Sequence, residues 1–161
     1  EVTGAAYDGD THIRIEGFKE SVAYRLDQLT RKLAAYGPAK PVTDAKANAA
    51  FWSSVTNVTA FANIPGDVWR ISVKPSDAPA VLTALPTDNT LLDWGGGLVW
   101  AVLPNGHNPR PALAGIKGHA TRIRGTGPHT FEPEAAPLAA ITAGLRTRFD
   151  PRGILNPGLM S

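Results

Sequence analysis

His119, Arg70 and Arg122 are the residues of this 161-residue chain whose types could do chemistry together. An imidazole can take or give a proton near neutral pH. A guanidinium fork can hold a carboxylate through two parallel bonds. His119 opens a strand-like run with Arg122 and Arg124 downstream, and Arg70 sits in an earlier alternating run. The bland alternative stands beside this: all three as strand residues facing water or an ion pair. His12, His107 and His129 are scattered, with no His-x-His or His-Glu-x-x-His spacing, so no metal site is expected. Gly95-Gly96-Gly97 could offer N–H groups to an anion. It leads into a β-like run and lacks the Lys-Ser/Thr of a phosphate loop, so a hairpin turn is the expectation.

The elements that must position these residues follow from the pattern. Thr11 to Gly17 alternates, which predicts a strand with Ile13 and Ile15 buried; residues 1–10 show no periodicity. Phe18, Val22, Leu26, Leu29 and Leu33 make one helical stripe, closed by Gly37-Pro38. Val42 suits a short strand, and Thr43 or Asp44 can cap a helix through Ala50, Phe51 and Trp52 that fades near Asn57. Asp67 to Val73 alternates, with Val68, Arg70 and Ser72 opposite Trp69, Ile71 and Val73. A helix follows from Pro75 with Ser76 as N-cap, carrying Val81, Leu82 and Leu85. Leu91 to Trp94 and Leu98 to Leu103 read as strands around the glycines, and Gly118 to Arg124 as another. Pro137 opens a last helix whose Leu138, Ile141, Leu145 and Phe149 are expected to face the core. Trp69, Trp94 and Trp100 are expected in the core as well. The pattern implies an α+β fold, an antiparallel sheet covered by helices on one face.

Composition narrows the class. Hydrophobic content of 43% and charged content of 19% are ordinary for a globular domain. A net charge of +2 is too weak to argue for nucleic acid, and no apolar run reaches membrane-spanning length. The absence of cysteine excludes disulfides and thiolate chemistry and fits a cytoplasmic protein. The chain opens on Glu1 and its one methionine is Met160, which reads as a segment of a longer protein whose missing part lies upstream.

The closing run, Phe149-Asp150-Pro151-Arg152-Gly153-Ile154-Leu155-Asn156-Pro157-Gly158, packs two X-Pro pairs and two glycines among large apolar side chains. It predicts a helix stop near Phe149, then a rigid, non-repetitive tail that buries Phe149, Ile154, Leu155 and Met160. The run resembles the FDPxGILNPG signature of flavoproteins of the vanillyl-alcohol oxidase / p-cresol methylhydroxylase type, with Leu159 where relatives place Arg or Lys. Three inner segments, Trp69 to Val73, Asp93 to Gly97 and Gly118 to Thr121, are similar to one branch of that superfamily, the FAD-binding E subunits of bacterial glycolate oxidases.

The resemblance implies a ferredoxin-like cap domain of FAD-linked oxidases. Residues 1–10 would lead in from an N-terminal FAD domain, 11–149 form the cap or substrate domain, and 150–161 return to the FAD domain. The activity implied is an FAD-dependent 2-hydroxy-acid oxidoreductase, glycolate to glyoxylate, with FAD bound mainly by the upstream domain and the fragment alone inactive. His119 would then take the hydroxyl proton, Arg70 or Arg122 hold the substrate carboxylate, and Asn156, Pro157 and Gly158 lie at the flavin. Asn156 is the preferred flavin contact, because an amide both donates and accepts. The partners implied are sister glycolate oxidase subunits, in a cytoplasmic complex able to associate with the membrane. Relatives of the D branch carry an HxGDGNxH metal site that has no counterpart here. The alternative is a non-catalytic module that docks onto a sister flavoprotein subunit.

Overall fold

The computed structural model describes residues 2–127 and 130–157. Among them, strands β1 (Gly4–Tyr7), β2 (Thr11–Arg14), β3 (Asp67–Val73), β4 (Thr90–Asp93), β5 (Leu98–Leu103) and β6 (Gly118–Arg124) form one sheet. Their order is β2-β1-β4-β5-β3-β6, and each pairing is antiparallel. The helices are α1 (Lys19–Leu33), α2 (Ala45–Thr56), α3 (Ala78–Ala84) and α4 (Ala136–Phe149). The α+β antiparallel sheet expected from the sequence is what the chain forms.

The pleat sorts the central strands into two faces. Trp69 pairs with Ala101 and Ile71 with Val99, and this face packs Ala78, Val81 and Leu85 of the α3 segment together with Leu113 and Ala120. Burying each large side chain there contributes about 1.5–3 kcal/mol. On the opposite face Val68, Leu91 and Val102 meet Phe61 from the short turn Thr59–Phe61 that follows α2. Farther along the same face, α2 lies over β1 and β2. Asp44 caps α2 by accepting the Ala47 N–H at 2.7 Å, as its position predicts.

Several expectations are corrected. The aperiodic opening holds β1, whose small Gly-Ala-Ala run carries no alternation to read. In β2 the buried face is inverted. Ile13 is exposed, and His12 and Arg14 turn toward α2, where the His12 ring centroid lies 4.2 Å from Phe51 and the Arg14 guanidinium 5.6 Å from the Trp52 ring. The rings of Phe51 and Trp52 pack against an imidazole and a guanidinium, and in a four-residue strand such contacts can outweigh the burial of one isoleucine. Val42 lies in an exposed loop, and Ser76 bonds the Asp77 carboxylate instead of capping α3.

The stripe of α1 is half-covered at Val22, Leu26, Leu29 and Leu33 and open at Phe18. In α4 the expected core stripe of Leu138, Ile141, Leu145 and Phe149 is exposed throughout, Phe149 to 80%. The periodicity named the helix correctly, but no other described part of the chain covers its apolar side.

Candidate functional site

The register of β3 against β6 brings two of the three candidate residues together. Arg70 lies opposite Thr121 and Ser72 opposite His119, so Arg70 and His119 share one face as diagonal neighbours on adjacent strands. Such diagonal positions stand about 7 Å apart. This is the end of the second face that α2 and the 59–61 turn leave open. Arg70, Ser72 and Thr121 are half-buried and His119 is exposed. A guanidinium and an imidazole at that separation can meet two groups of one small ligand.

Arg122 does not join them. Three positions from His119 on a strand, it points to the other face, opposite Trp69. Its guanidinium lies buried 5.8 Å from the Trp69 ring and donates to the Gly127 carbonyl. Arg110 covers the same indole at 4.9 Å and donates to the carbonyls of Ala120 (2.8 Å) and Thr130 (3.1 Å). Glu132 closes this cluster, accepting from the Ala120 N–H at 3.0 Å and from Arg110 Nε at 3.2 Å. Arg122 therefore has a structural post on the core side.

A β-bulge between Val68 and Trp69 changes the parity of β6. Val68 faces Arg124 and Trp69 faces Arg122, which leaves Ile123 as the extra, exposed residue. Arg124 is thereby carried to the second face. It donates to the carbonyls of Phe61, Ala62, Ile64 and Gly66 and pins the segment that leads into β3. At the same end, buried Asp67 accepts the Gly106 N–H at 3.0 Å. Gly125, at φ 127°, lies where any Cβ would strike the Asp67 carboxylate.

Trp94 is the residue that sequence reasoning misplaced. Expected in the core, it is 58% exposed, and the Arg70 guanidinium lies 5.1 Å over its ring. It opens the tight Trp94–Gly96 turn that joins β4 to β5, so the three glycines serve a hairpin connection as expected. Its position ahead of that turn was the signal: a residue starting a Gly-rich hairpin connection is rarely buried. Trp69 is buried as expected, and Trp100 is half-buried beside the second cluster.

The tail is ordered around Asp150. Its carboxylate accepts the N–H groups of Ile154 and Leu155, each at 2.9 Å, and its carbonyl accepts that of Gly153 at 3.0 Å. The Leu155 and then the Ile154 N–H hold the Asp150 carboxyl below the usual carboxylate range. The expected burial of Phe149, Ile154 and Leu155 is not found: all three are exposed. Asn156, with φ 48°, and Pro157 follow at the surface. Gly158 and Met160 lie outside the described residues. Among the described residues, no group of acidic or histidine side chains converges as metal ligands would.

The chain is 34% identical over 162 aligned residues to "Glycolate oxidase subunit GlcE" of Escherichia coli (strain K12). The alignment takes in 99% of this chain and 41% of that protein, so the chain spans about two fifths of its relative's length. No family model matches the chain, and no solved structure matches it. The resemblance carried by the tail and the inner motifs thus extends over nearly every residue.

Proposed function

We propose that this chain is the cap, or substrate-side, domain of an FAD-dependent 2-hydroxy-acid oxidoreductase subunit whose parent enzyme converts glycolate to glyoxylate. The observation that carries the reading is the likeness over 99% of the chain to a glycolate oxidase subunit. The open sheet face supplies residues of the right kind for that chemistry. Arg70 binds the substrate carboxylate and orients the acid. His119, on the diagonal, takes the hydroxyl proton at an imidazole nitrogen while the α-hydrogen leaves as hydride. FAD, when bound, supplies the acceptor for that hydride.

The described residues fit FAD as one wall of a site. Exposed Ile154 and Leu155 offer apolar contact and Asn156 an amide edge, on a turn that Asp150 holds in shape. Pro157 belongs to the same wall. The pyrophosphate and ribose would be held by polypeptide beyond these residues. We place the parent enzyme in the cytoplasm, assembled with sister glycolate oxidase subunits and associated with the membrane through that complex.

The test uses the full-length protein with its sister subunits and follows glycolate-dependent bleaching of flavin absorbance. Arg70→Ala should raise KM for glycolate by roughly tenfold or more, the loss of a charge-assisted pair. Residues 1–161 alone should quench flavin fluorescence weakly. Tight stoichiometric quenching by that fragment would contradict the assignment.

The exposed stripe of α4 and the exposed tail favour a second reading, a docking module without turnover of its own. Recovery of the sister subunit on purification, compared with and without the segment after Asp150, separates the two. Retained assembly together with absent bleaching would leave only the docking role.

A further inference from the structure

We propose that Trp94 is a positioning residue: its indole holds the Arg70 guanidinium flat, so that the N–H edge faces a substrate carboxylate. This rests on the role given to Arg70 above and adds a residue to it. The arginines around β3 and β6 divide sharply. Arg110 spends donors on the carbonyls of Ala120 and Thr130, Arg122 on Gly127, and Arg124 on four carbonyls of the segment 61–66. Among the described residues no carbonyl or carboxylate takes a donor from Arg70, and the contact it makes is with the Trp94 ring. A guanidinium over a ring forms no hydrogen bond there, so the N–H fork that a carboxylate needs is left unspent.

Trp94 itself is an odd residue for its place. It has φ 53°, in the left-handed region, where a bulky side chain is strained. Burial does not repay this, because the ring is largely exposed. The turn does not require it either, since a glycine would adopt the same backbone without strain. The main chain is nevertheless held there. Asp93 Oδ1 accepts the Trp94 N–H at 2.7 Å, the Trp94 carbonyl accepts from Gly97 at 3.2 Å, and the Gly97 carbonyl accepts from Val73 of β3 at 3.1 Å. The bonds tie the turn to the strand that carries Arg70. What the strained backbone gains is the ring's position over the guanidinium. A cation pre-oriented in this way loses less freedom when it pairs with a ligand.

The experiment uses the full-length, FAD-loaded protein in its complex, with variants Trp94→Phe, Trp94→Gly and Arg70→Ala. Trp94→Gly relieves the strain, so it should fold at least as well as wild type by thermal melting while lacking the ring. It should raise KM for glycolate about fivefold with kcat nearly unchanged, and Trp94→Phe should restore most of the loss. If Arg70→Ala raises KM and Trp94→Gly does not, the positioning role is wrong and the functional reading stands. If Arg70→Ala leaves KM unaltered, the assignment of the carboxylate to Arg70 fails. A readout free of turnover separates the cases further. Oxalate should shift the Arg70 Nε–H resonance in wild type far more than in Trp94→Gly. Equal shifts in both would overturn the inference, whatever the enzyme oxidises.

Discussion

Arg124 shows how one side chain can fix a loop that several others line. The bulge in β6 swings it to the second face, where it reaches the Phe61, Ala62, Ile64 and Gly66 carbonyls. Arg124→Met strips donors from those carbonyls and should cost about 2–3 kcal/mol, with Arg124→Lys between it and wild type. Denaturant midpoints at constant slope would measure this, and a loss under about 0.5 kcal/mol would mean that water replaces the guanidinium. Asp150 makes a prediction of opposite character. The Leu155 and Ile154 N–H groups lower its pKa, so its bonds are fully present above the ordinary carboxylate value, about 4. They are lost as pH falls through the lowered value. The Ile154 and Leu155 amide proton shifts should therefore titrate together with a midpoint below about pH 4. A midpoint at or above that value would show the strap to be absent in solution.

Elements differ in how far their own residues declare them. β3 reads at its full extent because seven alternating residues leave one phase that buries both Trp69 and Ile71. β2 has four residues, and with so few the choice of face passes to a neighbour, here the rings of Phe51 and Trp52. β1 offers two alanines and no contrast to read. The site was legible in residue type more than in arrangement. His119 and Arg70 could be singled out as a base and a cation, but their shared face depends on a register that no local pattern encodes. Arg122 fell to the other face by the same two-residue period that was read correctly for β3. For α4 the stripe was visible and its cover was not. Ile141→Gln and Leu145→Gln in that stripe should change the stability of residues 1–161 by no more than about 0.5 kcal/mol, because both side chains are already wet. A cost of about 2 kcal/mol or more in thermal or denaturant unfolding would mean that α4 packs on this chain in solution.

As a whole the molecule has one well-filled side and one that offers itself outward. Trp69, Ile71 and Leu103 with the α3 residues make the filled side. The open end of the other face, the stripe of α4 and the strapped tail are the surfaces left uncovered among the described residues. Contiguous exposed apolar side chains of this kind are where an interaction partner would be sought. The buried indole of Trp69, with two guanidiniums near its ring, has a practical corollary. Its Nε1–H meets no acceptor among the described residues, and the ring is 1% exposed, so its emission belongs at the blue end of the tryptophan range. Trp94, in water, emits to the red. Half-buried Trp52 and Trp100 fall between the two, so the blue edge of the spectrum would report melting of the interior without an attached dye.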